Sequence, residues 1–205
     1  MSNRAKKMVV NQLINRGIVN TTVLDAMSKV QRHHFVKKTY NFSAYADVPL
    51  PIGHGQTISQ PYVVGLMTEL LKVDKTHKVL EIGTGCGYQT AILSILSKSV
   101  ITVEVLSSLS KMSKKRLSYL GYNNVDFHCA DGKLGWENEA PYDRILVSAA
   151  PETIPEILIR QLAPKGYMVI PVGSLHNQFI QIITKDKNDK VHIKRSTPVR
   201  FVPLV

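Results

Sequence analysis

The sequence predicts an α/β fold, a doubly wound and mostly parallel sheet with an antiparallel C-terminal edge and an N-terminal helical extension. Three observations predict it. From Lys78 to Val172, short β-branched runs alternate with segments of helical period, the pattern of strands joined by crossover helices. The first of those runs passes straight into glycines and then a helix, Val79-Leu80-Glu81-Ile82-Gly83-Thr84-Gly85-Cys86-Gly87-Tyr88. Near the C-terminus, two strand-like runs are separated only by the polar turn Lys185-Asp186-Lys187-Asn188-Asp189, so they pair antiparallel.

Taken in order, residues 3–15 carry Met8, Val9, Leu13 and Ile14 near helical spacing, and Gly17 supplies a C-terminal cap. A second short helix follows Thr22 with Val23, Leu24, Met27 and Val30. Residues 44–61 are expected to be an irregular loop, because Pro49, Pro51, Gly53, Gly55 and Pro61 interrupt regular structure. Loops of that length are often functional. A helix is expected over 62–71, then strands over 78–82, 100–105, 125–129, 144–148 and 166–172. Helices over 87–96, 106–120 and 154–162 supply the right-handed crossovers. Strands over 178–184 and 191–194 complete the sheet.

A chain of 205 residues, 44% of them hydrophobic, is expected to bury one core and form one domain. Within it, residues 1–61 are the helical extension and long loop, 62–175 the ligand-binding core and 176–205 the terminal strands. The formal charge of +11 comes from 26 basic and 15 acidic residues. The basic residues fall in short clusters such as Lys37-Lys38 and Lys114-Lys115-Arg116, with no aromatic run between them to stack bases, so no nucleic-acid partner is expected.

Cys86 and Cys129 form no CxxC, which suits a reducing compartment, and the cytoplasm is expected. The start, Met1-Ser2-Asn3-Arg4-Ala5-Lys6-Lys7, lacks an apolar stretch, and no segment approaches the roughly 20 apolar residues of a membrane span. A monomer off the membrane is expected. The adjacent His33 and His34 should diverge on a helix, which makes a poor metal site, and no metal is expected. Cys86 has no Cys–His–Asn pattern around it and reads as a packing or ligand-contact residue.

The strand-to-glycine segment is where an open α/β sheet binds a nucleotide-like ligand, because glycine permits the turn and lets backbone N–H groups approach. A dinucleotide fingerprint would place glycines at 83, 85 and 88, but position 88 is Tyr88 and the third glycine comes early, at Gly87. Glu104 lies about 20 residues beyond Gly83, at the end of the second strand, where a carboxylate accepts from both hydroxyls of a ribose. Asp131, followed by Gly132, comes after the third strand, where a short acid accepts from an adenine amino group.

As a set, E-x-G-x-G-x-G at 81–87, Glu104 and Asp131 resemble class I S-adenosylmethionine-dependent methyltransferases, with their Rossmann-like fold. The resemblance implies S-adenosylmethionine as cofactor, S-adenosylhomocysteine as its product, and cofactor contacts from Glu81, Gly83, Thr84, Gly85, Gly87, Tyr88, Glu104, Asp131 and Gly132.

The loop Ala44-Tyr45-Ala46-Asp47-Val48-Pro49-Leu50-Pro51-Ile52-Gly53-His54-Gly55-Gln56-Thr57-Ile58-Ser59-Gln60-Pro61 is more specific. Together with Arg16-Gly17-Ile18, Arg32-His33, Gly135-Trp136, Ala140-Pro141-Tyr142-Asp143 and Arg200-Phe201-Val202-Pro203-Leu204, it is similar to the protein-L-isoaspartate O-methyltransferase family nearly end to end. That resemblance implies methyl transfer to the side-chain carboxylate of L-isoaspartyl residues in damaged proteins and peptides, with Ser59 as the active-site serine. It also implies that Thr57, Ile58 and Ser59, with Val202 and Leu204, hold the isoaspartyl group. A carboxylate, with an ordinary pKa near 4, is about fully ionised at neutral pH and needs positioning more than a base.

Two other readings are weighed against this. In the first, Ser59 serves only as the N-cap of the helix that Pro61 opens. The same cofactor core also serves nucleic-acid and small-molecule methyltransferases, but amino-methylating nucleic-acid enzymes place Asp/Asn-Pro-Pro-aromatic after the fourth strand, where this chain has Ser148-Ala149-Ala150-Pro151. The departures from the family pattern are Gln31 for proline, Val105 for a basic residue, Ala130 for glycine and Lys165-Gly166 for paired glycines. Ala130 is expected to disturb the turn near adenine, where glycine alone tolerates positive φ.

Overall fold

A computed structural model describes residues 3–204; Met1 and Ser2, which open the polar N-terminal stretch, and Val205 lie outside them. The N-terminal arm begins with α1 (Asn3–Met8), widens into an i→i+5 turn over Val9–Leu13, tightens over Ile14–Arg16 and ends at Gly17, whose φ of 89° is left-handed. Helix α2 (Thr21–Lys29) starts at Asn20, whose side chain accepts from the N–H groups of Thr22 and Val23. The arm packs closely on α3 (Pro61–Leu71), since a Cβ on Gly65 would stand 3.0 Å from Leu13 Cδ2.

The expected loop at 44–61 contains a hairpin, β1 (Leu50–Gly53) paired with β2 (Gln56–Ile58). His54 (φ 53°) and Gly55 (φ 69°) form its two-residue turn, the left-handed pair that matches strand twist. Pro51 is tolerated because a two-stranded ribbon has free edges. The burial of Leu50, Ile52 and Ile58 shows the period-two signal hidden beneath the prolines and glycines.

The main sheet comprises β3 (Lys78–Ile82), β4 (Ser99–Val103), β5 (Val125–His128), β6 (Tyr142–Val147), β7 (Leu162–Ser174), β8 (Asn177–Lys185) and β9 (Val191–Val199), in the order β5-β4-β3-β6-β7-β8-β9. The first five are parallel, and β8 runs antiparallel to both β7 and β9. Crossovers run through α4 (Tyr88–Leu96), α5 (Ser107–Tyr119) and α6 (Glu156–Gln161). Strand β7 starts earlier than expected: α6 stops at Gln161, because Pro164 forces the preceding chain to extend.

Val79, Leu80 and Ile82 of β3 are at most 1% exposed, so both faces of the central strand are covered, at about 1.5–3 kcal/mol for each fully buried large aliphatic side chain. Because β4 and β6 flank β3, the strand order reverses at its carboxyl end, the position where open α/β sheets take ligands.

Two expectations are corrected here. The left-handed non-glycine positions among the described residues are His54, Lys72, Lys165 and Asp189, so Ala130 carries no positive φ and the strained departure is Lys165, φ 62°. The rings of His33 and His34 do not diverge but meet with centroids 4.2 Å apart on a tight turn, and His33 Nδ1 bonds the Tyr45 hydroxyl at 2.8 Å.

Candidate active site

A cleft opens over the carboxyl ends of β3, β4 and β6. Its floor is the turn after β3, where Gly83, Gly85 and Gly87 all take positive φ (91°, 53° and 86°), a conformation that side chains with a Cβ disfavour. The turn is held by side chains from below. Glu104, just past β4 and 7% exposed, accepts from Gly85 N at 2.8 Å through Oε2 and from Leu106 N at 3.0 Å through Oε1. It faces the cleft with lone pairs to spare.

Glu81 occupies a different layer. Its Oε2 accepts from Thr90 Oγ1 (2.6 Å) and Thr102 Oγ1 (2.7 Å), and the Thr102 hydroxyl bonds that of Thr84 at 2.7 Å, so a polar chain ties the glycine turn to two strands and α4. Burial pushes the Glu81 carboxyl up to about 7, against the downward pull of both threonine hydrogen bonds, and its Oε1 has no partner. It supports the turn from behind and does not line the cleft.

The remaining expected cofactor residues divide in the same way. Gly83, Thr84, Gly85, Tyr88, Glu104 and Gly132 line the cleft; Gly87 and Asp131 do not. Gly87 lets α5 approach, since a Cβ there would stand 3.0 Å from Leu117 Cδ1. Asp131 is exposed and accepts from Lys133 N at 2.8 Å, which caps the turn that presents Gly132. A Cβ on Gly132 would collide with Ile82, so that glycine is demanded by packing. Tyr88 is mostly a core residue, 1% exposed and edge-on to Phe35.

The other wall joins two segments far apart in sequence. Thr57, Ile58 and Ser59 come from β2 and the turn after it, and Val202 and Leu204 from the C-terminal tail. Helix α3 begins at Pro61 with Gln60 as its N-cap and no side-chain cap bond, so Ser59 is not the cap; it lines the cleft. The tail is fastened to residues just beyond β6: Ala150 N donates to Val202 O at 2.8 Å and Leu204 N to Ala150 O at 3.0 Å. Buried Gln178 clamps the tail's other end, accepting from Phe201 N (2.6 Å) and donating to Phe201 O (3.2 Å).

Sequence reasoning missed the residue that holds the hairpin. Arg32, wholly buried, donates from Nε to Ala44 O at 2.8 Å and from Nη2 to Ser59 O at 2.7 Å, while its guanidinium lies 4.8 Å from the Tyr88 ring centroid. One side chain thus spans both ends of the 44–59 segment. Its neighbours carried no signal, because both acceptors are backbone carbonyls. Ile52, Gln56, Gln89, Ser148, Ala149 and Phe201 also line the cleft and were missed; Ser148, at the carboxyl end of β6, was accessible to the rule that places ligands at strand ends.

No histidine, lysine or arginine lines the cleft among the described residues. Its titratable groups are Glu104, the Cys86 thiol, which burial raises, and the Tyr88 phenol, pushed up to about 12 mainly by burial.

A doubly wound sheet with this glycine turn, an acid after the second core strand and a cleft over the strand ends defines a class I methyltransferase. The chain belongs to the Protein-L-isoaspartate(D-aspartate) O-methyltransferase (PCMT) family, whose model matches residues 3–205. It is 52% identical over 199 residues to the protein-L-isoaspartate O-methyltransferase of Dictyoglomus turgidum, covering 97% of this chain and 90% of that one. A solved protein-L-isoaspartate O-methyltransferase superposes with a TM-score of 0.86 at 28% identity, over 97% of this chain and 65% of that longer one. A PCMT from Plasmodium falciparum, solved in complex with S-adenosyl-L-homocysteine, superposes with a TM-score of 0.84 at 28% identity, over 100% and 99%.

Proposed function

We infer that the chain transfers a methyl group from S-adenosylmethionine to the side-chain carboxylate of L-isoaspartyl residues in damaged proteins and peptides, the first step of their repair. Beyond the family, one observation supports this most: the cleft offers hydroxyl and backbone donors but no general base and no cationic side chain among the described residues. An amine, an exocyclic amino group or a neutral hydroxyl acceptor needs a base to take its proton. Tyr88 and Cys86 are held protonated, and Glu104, engaged by two backbone N–H groups, would spend its remaining lone pairs on the cofactor's ribose, so no base is left for the acceptor. A carboxylate arrives already ionised. A cation would pair with it and quench it, whereas a hydroxyl such as Ser59 orients one oxygen and leaves the other free.

The residues fit the cofactor. The left-handed glycines leave space that a Cβ would fill and Glu104 presents acceptors, so Gly83, Thr84, Gly85, Glu104 and Gly132 would hold its nucleoside and amino-acid parts. When bound, it supplies an electrophilic methyl on a sulfonium. Thr57, Ile58 and Ser59, with Val202 and Leu204, fix the isoaspartyl carboxylate in line and exclude water, so positioning supplies most of the acceleration. The ester formed is then attacked, without the enzyme, by the following backbone nitrogen; methoxide leaves with the amide proton as methanol, and the succinimide reopens in part to aspartate.

The test uses methyl-labelled S-adenosylmethionine with two peptides that differ only in isoaspartate versus aspartate, counting the methanol released by mild base. Base-labile label on the isoaspartyl peptide alone is expected; equal label on both, or label stable to base, refutes the reading. Unpaired Cys86 and Cys129 support a cytoplasmic location. No helix among the described residues is long and apolar enough to cross a membrane.

A further inference from the structure

The chain's sole tryptophan leads to a cluster away from the cleft. Trp136 stacks on His128, ring centroids 3.8 Å apart and planes 20° from parallel. His128 and Asp126 stand two apart on the edge strand β5, so their side chains share one face of the sheet. Glu139 reaches them from the connection between β5 and β6.

His128 Nε2 lies 3.2 Å from Asp126 Oδ2 and 3.7 Å from Glu139 Oε1, and the three atoms all fall within 4.8 Å of one another. Nε2 is shut off from solvent, yet neither oxygen lies where a proton on that nitrogen would make a hydrogen bond. Three potential ligand atoms thus cluster about an imidazole nitrogen that makes no hydrogen bond to either carboxylate. At metal–ligand distances of about 2.1 Å, those two separations correspond to angles of roughly 100° and 120°, on either side of tetrahedral.

We propose that Asp126, His128 and Glu139 bind a divalent transition metal, Zn²⁺ being the best match, with water in the fourth position. The imidazole nitrogen disfavours Mg²⁺ and Ca²⁺, which take oxygen ligands. The site stands on fixed parts: Trp136 N donates to Gln161 Oε1 at 3.0 Å, the Tyr142 hydroxyl donates to Trp136 O, and Lys78 Nζ donates to Glu139 O. The metal would tie β5 to the connection that carries Asp131 and Gly132, and so stiffen the cleft's border from outside.

Chelator-treated protein is titrated with Zn²⁺ by calorimetry and with Ni²⁺, a quencher of nearby indoles, by Trp136 emission. One saturable equivalent, a raised melting temperature and quenched emission are expected. Asp126→Asn with Glu139→Gln, both on partly exposed residues, and separately His128→Gln, should each weaken binding at least tenfold and leave methyl transfer unchanged. Cys129→Ser should retain binding, which separates this site from the neighbouring thiol. Unchanged affinity in the carboxylate double variant, no response of Trp136, or loss only in Cys129→Ser overturns the proposal; should His128→Gln fail to fold, the double variant decides.

Discussion

The two walls of the cleft are built differently. The glycine-turn wall is nearly contiguous in sequence, 82–86 and Tyr88 plus Glu104 and Gly132, and hangs from parallel strands through short side-chain bonds. The opposite wall joins residues 57–59 to residues 202–204, and Arg32, Gln178 and Ala150 fasten those segments from outside. Damage to the first should therefore appear in cofactor affinity, and damage to the second in substrate kinetics, with the other quantity spared.

The largest effect is expected at Glu104. Glu104→Ala removes the acceptors for Gly85 N and Leu106 N together with those offered to the ribose. Cofactor affinity should fall about 100-fold, roughly 3 kcal/mol, by calorimetry. Normal affinity in this variant would break the division of labour outright.

Glu81 tests whether the same wall has a hidden layer. Its carboxyl has an ordinary value of 4.5 when unfolded and about 7 when folded, so the folded state keeps a proton that the unfolded state releases. The contribution of Glu81 to stability is then fully present below about pH 4.5 and is lost as pH rises through about 7, by on the order of 3 kcal/mol. Glu81→Gln cannot ionise and should flatten that dependence in urea melts at pH 5 and pH 8. An equally steep slope in the variant would place the titration elsewhere.

This contrast also explains what could be read in advance. Strand β3 was expected with the bounds it has, because a buried central strand is a continuous apolar run and Gly83 ends it. Glu104 and Gly132 were expected at the cleft they line because the fold puts ligands at strand ends. Glu81 looked like part of the same motif, but alternation along β3 turns it to the buried face beside Thr102, and a motif does not say which way a side chain points. The β1–β2 hairpin was missed because its prolines and glycines outweighed two buried alternations. Arg32 was quoted only as part of a resemblance, and its two carbonyl acceptors leave no trace in side-chain chemistry.

Arg32 and Ser59 probe the second wall at different depths. Arg32→Met leaves two carbonyls unpaired and frees the hairpin, so stability should drop by roughly 2 kcal/mol and the KM for an isoaspartyl peptide should rise about tenfold, with cofactor affinity within about twofold. Ser59→Ala touches only the cleft side and should lower kcat/KM about tenfold, near 1.4 kcal/mol, without changing melting temperature. If Ser59→Ala instead weakened cofactor binding, the two walls would not be separable.

The smallest effect is expected outside both walls, and it serves as their control. Lys165 is exposed in β7 at φ 62°, a conformation that costs a residue with a Cβ roughly 1–2 kcal/mol and glycine almost nothing. Lys165→Gly relieves that strain but gives the unfolded chain more freedom, worth about 0.4–1 kcal/mol in the other direction. The net gain should be under about 1 kcal/mol in a urea melt, with cofactor affinity and peptide KM both unmoved. A change in either binding quantity would mean that β7 transmits strain to the cleft through β6, and the wall-by-wall assignments would then need double-mutant cycles before any could be trusted.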